Sequence, residues 1–508
     1  MERISDRHEG DIGGRLEPFG QVRSVAVAVV VAPCAAHLAA TQHTAWMLVN
    51  LLARAVGVVD TLQVVCPARV PLAGRIVPLA PRDLPLGDAL VHGARAIGTA
   101  PVQHAAASAE TDVVLVVGPG ADGRNDKHVH RRFVTGHGWW GGVSDQPFPY
   151  ADDATPLPYG PYVAAALAVG EIYLKARLPQ NVTQSTTAYG WDCWTQTLAT
   201  QLVPGAPTDL AGLDLSGTAL AGVGAVGSTW VHALWATPNL VGNVILADAD
   251  PKGVTTTNLN RCPIYGWTSL GKAKAPEGGR IAGDASIRWH PHDARFEDLD
   301  LTPSLLVSAV DTNRARLALQ SRYPPLILSG STLDLRAEVL RAGPPEVNVC
   351  LRCYNPPEAF LGDDELRTRT RDGGSQAVQA LAAETGVNEA DVQRWLHRGE
   401  CGEVSTRLLD TLRKWEPDPP SRFAVGFTSV MAGVMLTAET IKTLISQPMT
   451  PTTPEANQAT FQFLQPTASV NAADRLARDP RCPACAPTNP AIRVWQARRE
   501  QLQTTTRA

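Results

Sequence analysis

The sequence predicts an α/β protein with a doubly wound parallel sheet in its second half and a further α/β domain before it. Three observations carry this reading. The runs "GTALAGVG", "NVILADAD" and "SLLVSAVD" are short and apolar and are separated by helical or loop text, which is the βαβ rhythm of a parallel sheet covered on both faces. Gly222, Gly224 and Gly227 write G-x-G-x-x-G between the first of those runs and a small apolar helix. The first half repeats the plan loosely: strands, a Gly-containing loop, and a late apolar helix ending in "EIYLK" where the second half has "ETIK".

Length and charge set the limits. At 508 residues the chain exceeds the roughly 100–200 residues typical of one domain, so two or three are expected. A formal net charge of -4 argues against a polyanion partner, and no nucleic acid is expected. The apolar runs are broken by Pro, Gly or charge before the roughly 18 residues a spanning helix needs, so no membrane partner is expected either. The first twenty residues mix acids and bases without an apolar core, which points to the cytoplasm. Nine cysteines, an odd number, suit metal or catalytic work better than a disulfide framework.

In chain order, "VRSVAVAVVVA" reads as a buried strand, "AAHLAATQHTAWMLVNLLARAVG" as a helix with a glycine stop, and "TDVVLVVG" as a second strong strand. The segment "GHGWWGGVSDQPFPYADDATPLPYG" reads as a long Gly/Pro/aromatic loop leading into the apolar helix "PYVAAALAVGEIYLKARL". A Pro/Gly/Asp-rich linker, "QLVPGAPTDLAGLDLSG", closes a first domain at residues 1–205. The second domain takes residues 206–354 and 420–508, interrupted by a charged, helix-rich insert at 355–419, and resumes with the buried helix of "RFAVGFTSVMAGVMLTAETIKTLIS". Gly118, Gly120 and Gly123 also match G-x-G-x-x-G, but charged "RNDKH" follows them instead of an apolar helix, and they read as a structural loop.

Around Gly222, Gly224 and Gly227 the context suits a nucleotide. Missing side chains let backbone N–H groups approach phosphate, and the following helix terminus favours anions. Asp248 ends the next strand, where it can accept hydrogen bonds from ribose hydroxyls. A dehydrogenase would share these features. The cations that follow separate the two cases: Asn258 and Arg261 in "TTTNLNR", Lys272 and Lys274 in "LGKAK", and then Asp311 in "SAVDTNR". Hydride transfer needs no such cluster, whereas attack of a carboxylate on an α-phosphate must neutralise the phosphates and the leaving group.

This ordered set resembles the ThiF/MoeB-type adenylyltransferases and the adenylation domains of ubiquitin-activating enzymes. The matching residues are G-x-G-A-V-G-S, the Asp248/Asp250 pair, N-L-N-R, G-K-x-K, D-T-N and two C-x-x-C pairs, over roughly 206–353 and 420–487. The resemblance implies a Rossmann-like adenylation domain with a zinc knuckle, preceded by a degenerate, inactive adenylation-like half that packs as a pseudo-dimer within one chain. It implies that the glycine loop binds ATP, that Asp248 holds the ribose, that Asn258, Arg261 and Lys274 contact phosphates, and that Asp311 coordinates Mg²⁺. Two departures stand out: Cys262 replaces a usual Gln, and "PKG" lengthens the loop after Asp250.

"CLRC" and "CPAC", with 128 residues between them, offer Cys350, Cys353, Cys482 and Cys485 as four thiolates for a tetrahedral structural Zn²⁺. Because ubiquitin-activating enzymes place their acyl-accepting cysteine after the first C-x-x-C, Cys401 in "LHRGECGEVSTRLL" is the candidate acceptor, with Cys262 beside Arg261 as its competitor. Its sequence suits an exposed loop before a helix, where a thiol pKa is lowered. Cys34, Cys66 and Cys193 read as core residues. "AETGVNEADVQRWLHRG" has the look of a helix-turn-helix, but its acidic setting speaks against DNA. The expectation is therefore activation of a ubiquitin-like protein with a C-terminal glycine, by adenylation and then thioester formation, for transfer to a conjugating enzyme. An Ala/Arg/Pro-heavy composition and the lack of the large domains of the eukaryotic enzymes suggest a bacterial conjugation operon of the kind used in phage defence. Adenylation of a sulfur carrier in cofactor biosynthesis and a catalytically inactive scaffold are the alternatives.

Overall fold

A computed structural model describes residues 24–98, 100–105, 111–119, 130–149, 155–177, 188–344, 348–355, 368, 370–385, 388–398, 424–464 and 468–505. In the first half these form β1 (Val25–Val31), α1 (Ala39–Arg54), β2 (Val59–Val65), α2 (Leu86–Arg95), β3 (Val102–Ala105), β4 (Val113–Val117), β5 (His130–His137), β6 (Trp140–Ser144), α3 (Tyr159–Arg177), β7 (Tyr189–Asp192) and β8 (Thr197–Leu198). The second half begins with β9 (Thr218–Ala221), α4 (Ala225–Ala236), β10 (Gly242–Ala247), α5 (Lys274–Ile281), β11 (Ile287–His292), β12 (Leu305–Ser308) and α6 (Asn313–Gln320). It continues through β13 (Leu326–Leu333), β14 (Arg336–Ala342) and α7 (Leu351–Tyr354). The insert holds α8 (Gly374–Thr385) and α9 (Glu389–Arg398), and α10 (Gly426–Leu444), β15 (Gln458–Gln462), β16 (Ala472–Asp474) and α11 (Ala491–Thr505) close the chain.

The two sheets have one topology. The first runs β3-β2-β1-β4-β5-β6-β7-β8 and the second β11-β10-β9-β12-β13-β14-β15-β16, the same order eight strands later. In each, the first five positions pair in parallel and the last three extend the sheet antiparallel. The loose repeat in the sequence is thus a repeat of fold. Val-rich β1 and Ala/Leu-rich β9 are buried at the centre of their sheets, as parallel strands covered by helices on both faces must be.

Helices α3 and α10, the late apolar helices of the two halves, pack on each other and are buried along most of their length. Helix α1 lies on α3 and α4 lies on α10. A single apolar core therefore spans both sheets, including Val29, Trp46 and Tyr162 from the first half and Leu220, Trp230 and Met435 from the second. Residues Pro357–Arg422 form a separate unit, in which α8 and α9 bury Val378, Leu381, Val392 and Leu396 against one another. Among the described residues no helix is long and apolar enough to cross a membrane.

One expected loop is a strand pair. "GHGWWGGVS" lies in the β5–β6 hairpin, with Thr135 opposite Gly142 and Gly136 opposite Gly141. Its glycines serve close packing. A Cβ on Gly141 would sit 2.0 Å from Gly160 O, and one on Gly136 would sit 2.3 Å from Pro161 N, both in the backbone of α3. A composition that resembles a loop is here the condition for pressing a helix onto a sheet.

Candidate active site and metal centre

The site lies at the C-terminal ends of β10, β9 and β12, adjacent strands of the second sheet. Ala247 pairs with Ala221 and Ser308 pairs with Ala221, so the segments leaving these strands emerge side by side. Open α/β sheets bind their ligands at this edge.

Each glycine of the loop after β9 has its own reason. Gly222 takes φ +91°, and a Cβ there would meet Ala309 O at 2.8 Å. A Cβ on Gly227 would sit 1.9 Å from Gly222 O, so only glycine lets α4 approach the loop this closely. Gly224 differs: a Cβ would find nothing within 4 Å. It caps α4 and faces open space at the helix N-terminus, where N–H groups lack intrahelical partners.

Asp248 braces this loop. Its Oδ2 accepts from Val223 N at 2.7 Å and its Oδ1 from Asp250 N at 3.0 Å. Asp250 accepts from Lys274 Nζ at 2.5 Å, and the Lys274 side chain is nearly buried. Burial pushes the Asp250 carboxyl up, but the hydrogen bond and charge of Lys274, with help from Lys252, hold it below its ordinary value. Lys274 is brought here by the pairing of two loops: Val254 N donates to Lys272 O and Gly271 N to Val254 O, each at 2.8 Å.

Asn258 is buried, and its Oδ1 accepts from Thr255 N at 2.8 Å and from Thr255 Oγ1 at 3.1 Å, closing a capping box around a turn of 3-10 helix. Its carbonyl oxygen therefore shapes the loop that carries Arg261. Arg261 Nη1 donates to Thr257 O at 2.5 Å and to Asn260 Oδ1 at 3.1 Å. Asp311 is exposed beyond β12, just before Thr312, which caps α6 by accepting from Ala315 N. Lys272 is half exposed and pairs with Glu277. The structure thus joins the glycine loop, Asp248, Asp250 and Lys274 by direct hydrogen bonds, sets Arg261 on the neighbouring loop, and places Asp311 on the adjacent strand end.

Tyr265 has no motif to announce it. Its hydroxyl lies 3.0 Å from Val223 O and 2.9 Å from Lys274 O, so one buried side chain links the glycine loop to the lysine segment. Nothing in "RCPIYG" signals this, because the partners are carbonyl oxygens distant in sequence.

The cysteines divide into two groups. Cys350, Cys353, Cys482 and Cys485 converge, with all four sulfurs within 4.8 Å of one another and neighbouring Sγ–Sγ separations of 3.8, 3.6 and 3.3 Å. Four thiolates about 2.3 Å from a tetrahedral Zn²⁺ would lie about 3.8 Å apart, so the cluster fits such an ion. Trp495 of α11 packs against it and donates its Nε1 proton to Pro325 O at 3.0 Å. Among the others, Cys66, Cys193 and Cys262 are buried, while Cys34 is exposed in the turn after β1, contrary to the expectation of a core residue. Its neighbours are apolar, but Pro33 opens a short turn there that leaves the residue exposed, with its Sγ 3.7 Å from Pro119 O. Cys262 is fully buried. Cys401 lies outside the described residues, as do Gly120 and Gly123.

A model of the ThiF family matches residues 199–484, more than half of the chain, which includes the glycine loop, the charged residues around it and three of the four clustered cysteines. The chain belongs to the ThiF family. The general chemistry this membership supports is ATP-dependent adenylation of a substrate. An uncharacterized protein of Sinorhizobium fredii, y4jF, is 25% identical over 362 residues, covering 63% of this chain and 66% of that protein. Solved structures of E. coli MccB show partial likeness. MccB with ATP has 13% identity, covers 54% of this chain and 66% of its own, and gives a TM-score of 0.35. MccB with MccA-N7isoASN has 14% identity, covers 54% and 68%, and also gives 0.35. The chain thus spans about two thirds of the length of these relatives.

Proposed function

We propose that this ThiF-family chain activates a ubiquitin-like protein: it adenylates the C-terminal glycine carboxylate and then passes the acyl group to Cys401 for transfer to a conjugating enzyme. The observation that carries the first step is the open cradle at Gly224, braced by Asp248 and flanked by Lys274, Arg261 and Asp311. In that step a carboxylate oxygen bonds to the α-phosphorus of ATP and the bond to the β-phosphate bridging oxygen breaks, releasing pyrophosphate. Asp248 orients the ribose, the α4 N-terminus and Lys274 hold phosphate oxygens, and Arg261 stabilises the charge that grows on the leaving group. Asp311 is an exposed carboxylate and fits Mg²⁺, which would neutralise the phosphates. The four-cysteine cluster would hold a structural Zn²⁺, tying the segments on either side of the insert together.

In the second step the Cys401 thiolate attacks the acyl carbon and AMP leaves. The assignment of Cys401 rests on its place in the sequence after Cys353; Cys262, its competitor, is fully buried, which supports that choice. The experiment is incubation with ATP, Mg²⁺ and the small proteins encoded beside the gene, followed by electrophoresis with and without reductant. A reductant-sensitive adduct lost in Cys401→Ala but retained in Cys262→Ala is the expected result. An adduct that survives Cys401→Ala refutes the assignment. Adenylate with no adduct in the wild type would favour sulfur-carrier chemistry.

A further inference from the structure

The C-terminal turn of helix α1, in the first half, reaches the Leu259–Tyr265 segment of the second half. Arg54, 1% exposed, donates from Nη1 to Leu259 O at 2.6 Å and from Nη2 to Tyr265 O at 2.8 Å. One turn earlier Asn50, fully buried, donates from Nδ2 to Pro263 O at 2.8 Å and accepts from Arg54 Nε at 2.6 Å, so the two side chains act as one unit at i, i+4. Three carbonyl oxygens of the segment 259–265 are thereby held by the other half of the molecule. Burial lowers the Arg54 guanidinium to about 9, which still leaves it charged at neutral pH, so its hydrogen bonds are charge-assisted.

The segment that is gripped is the one that matters. It begins beside Asn258, contains Arg261 and Cys262, and ends at Tyr265, whose hydroxyl touches the glycine loop at Val223 O and the lysine segment at Lys274 O. Resting on the adenylation reading, we propose that Arg54 and Asn50 are positioning residues: the first half holds the phosphate-contact loop of the second in its working conformation through this clamp. Neither touches substrate. Their effect passes through the backbone of 259–265 to Arg261, and through Tyr265 to the glycine loop. The first half would then be required at a site that lies in the second.

The test separates positioning from general stability with a control on the same interface. Arg75, also from the first half, donates to Trp235 O and Thr237 O at the far end of α4, away from the loop. Hydrogen exchange of the backbone amides of Leu259–Tyr265 and titration with Mg²⁺-ATP would be compared in wild type, Arg54→Lys, Asn50→Ala and Arg75→Ala. The temperature is one at which each is folded by circular dichroism. Lysine keeps the charge but cannot reach both carbonyls, and Asn50→Ala is a milder variant should Arg54→Lys fail to fold. The expected result is exchange of the loop amides accelerated about tenfold and ATP affinity reduced about tenfold in the Arg54 and Asn50 variants, the effect of losing one or two buried hydrogen bonds. Arg75→Ala should keep both at the wild-type value. Loop exchange in Arg54→Lys and Asn50→Ala no faster than in Arg75→Ala overturns the clamp. Wild-type protein that does not bind ATP overturns the adenylation reading instead, and the loop-exchange arm still decides the clamp.

Discussion

Substituting alanine at each of the three loop glycines should have three different outcomes, and the differences follow from the surroundings of each. At Gly227 the new methyl would sit 1.9 Å from Gly222 O, a backbone atom that cannot rotate away. Relief requires α4 to move off the loop, which costs about 3 kcal/mol or more, the upper range for overpacking. At Gly222 the methyl is 2.8 Å from Ala309 O and the residue sits at φ +91°, adding a left-handed penalty of roughly 1–2 kcal/mol. At Gly224 the methyl meets nothing within 4 Å, so no clash arises; the cost is that of alanine at an N-cap with φ −77° and ψ −145°, about 1 kcal/mol. That same methyl would enter the space proposed for a phosphate. Urea denaturation followed by fluorescence gives the stabilities, and titration with Mg²⁺-ATP at low temperature gives the affinities. Gly224→Ala should lose the least stability of the three and bind ATP at least about tenfold more weakly. If Gly224→Ala binds ATP like wild type, the open space is not the phosphate cradle. If Gly227→Ala is fully stable, the packing explanation is wrong.

Further outcomes follow from the rest of the molecule. Asp311→Ala should abolish Mg²⁺-dependent exchange of pyrophosphate into ATP while leaving the thermal midpoint near wild type, since the residue is exposed; a full rate in the variant would exclude it as the Mg²⁺ ligand. Purified protein should contain one Zn²⁺ per chain by elemental analysis, and Cys482→Ser should lower stability by several kcal/mol by breaking the knuckle around which Trp495 packs; soluble wild-type protein without zinc would contradict this. His43 and His232 are fully buried between the halves, and burial, with the charges of Arg75 on the first and of His43 and Arg54 on the second, lowers both to about 3. Both stay neutral when folded but take protons when unfolded below 6.5, so stability is full above that pH and falls between about 6.5 and about 3. Linkage puts the total on the order of 5 kcal/mol per histidine. In His232→Asn the loss of stability between pH 7 and 4.5 should therefore shrink by about 3 kcal/mol, measured by urea denaturation, and an unchanged pH slope would refute the assignment.

The central parallel strands β1, β4, β9, β10 and β12 were legible because they read as short apolar runs, whereas their parallel neighbours β3 ("VQHA") and β11 ("IRWHPH") are partly exposed and carry no such run. The glycine loop was legible from its spacing: Gly222 and Gly227 answer close backbone approaches, and Gly224 opens the helix N-terminus to space. The antiparallel extensions were not: β6 is "WGGVS" and β8 is two residues long, so neither carries a period, and the glycines of β5 and β6 answer to α3 behind them. The cysteine cluster was legible from two short spacings, although what joins them is tertiary. Asn258 belonged visibly to the site's motif, but its capping of Thr255 could not be read from the motif alone. Tyr265, Asn50 and Arg54 were silent because their partners are carbonyl oxygens, which every residue possesses, and because the halves meet over roughly two hundred residues of separation.

The central claim is that a carboxylate is activated at the Gly224 cradle, and ATP–pyrophosphate exchange measures it most directly. With radiolabelled pyrophosphate, Mg²⁺ and a ubiquitin-like protein ending in a free glycine carboxylate, label should enter ATP, and it should not when the carboxylate is amidated or Mg²⁺ is chelated. Arg261→Ala and Lys274→Ala should reduce the rate by orders of magnitude through lost charge stabilisation, while Cys401→Ala should leave it unchanged. Exchange that proceeds at full rate without the carboxylate, or in both cation variants, would contradict the account.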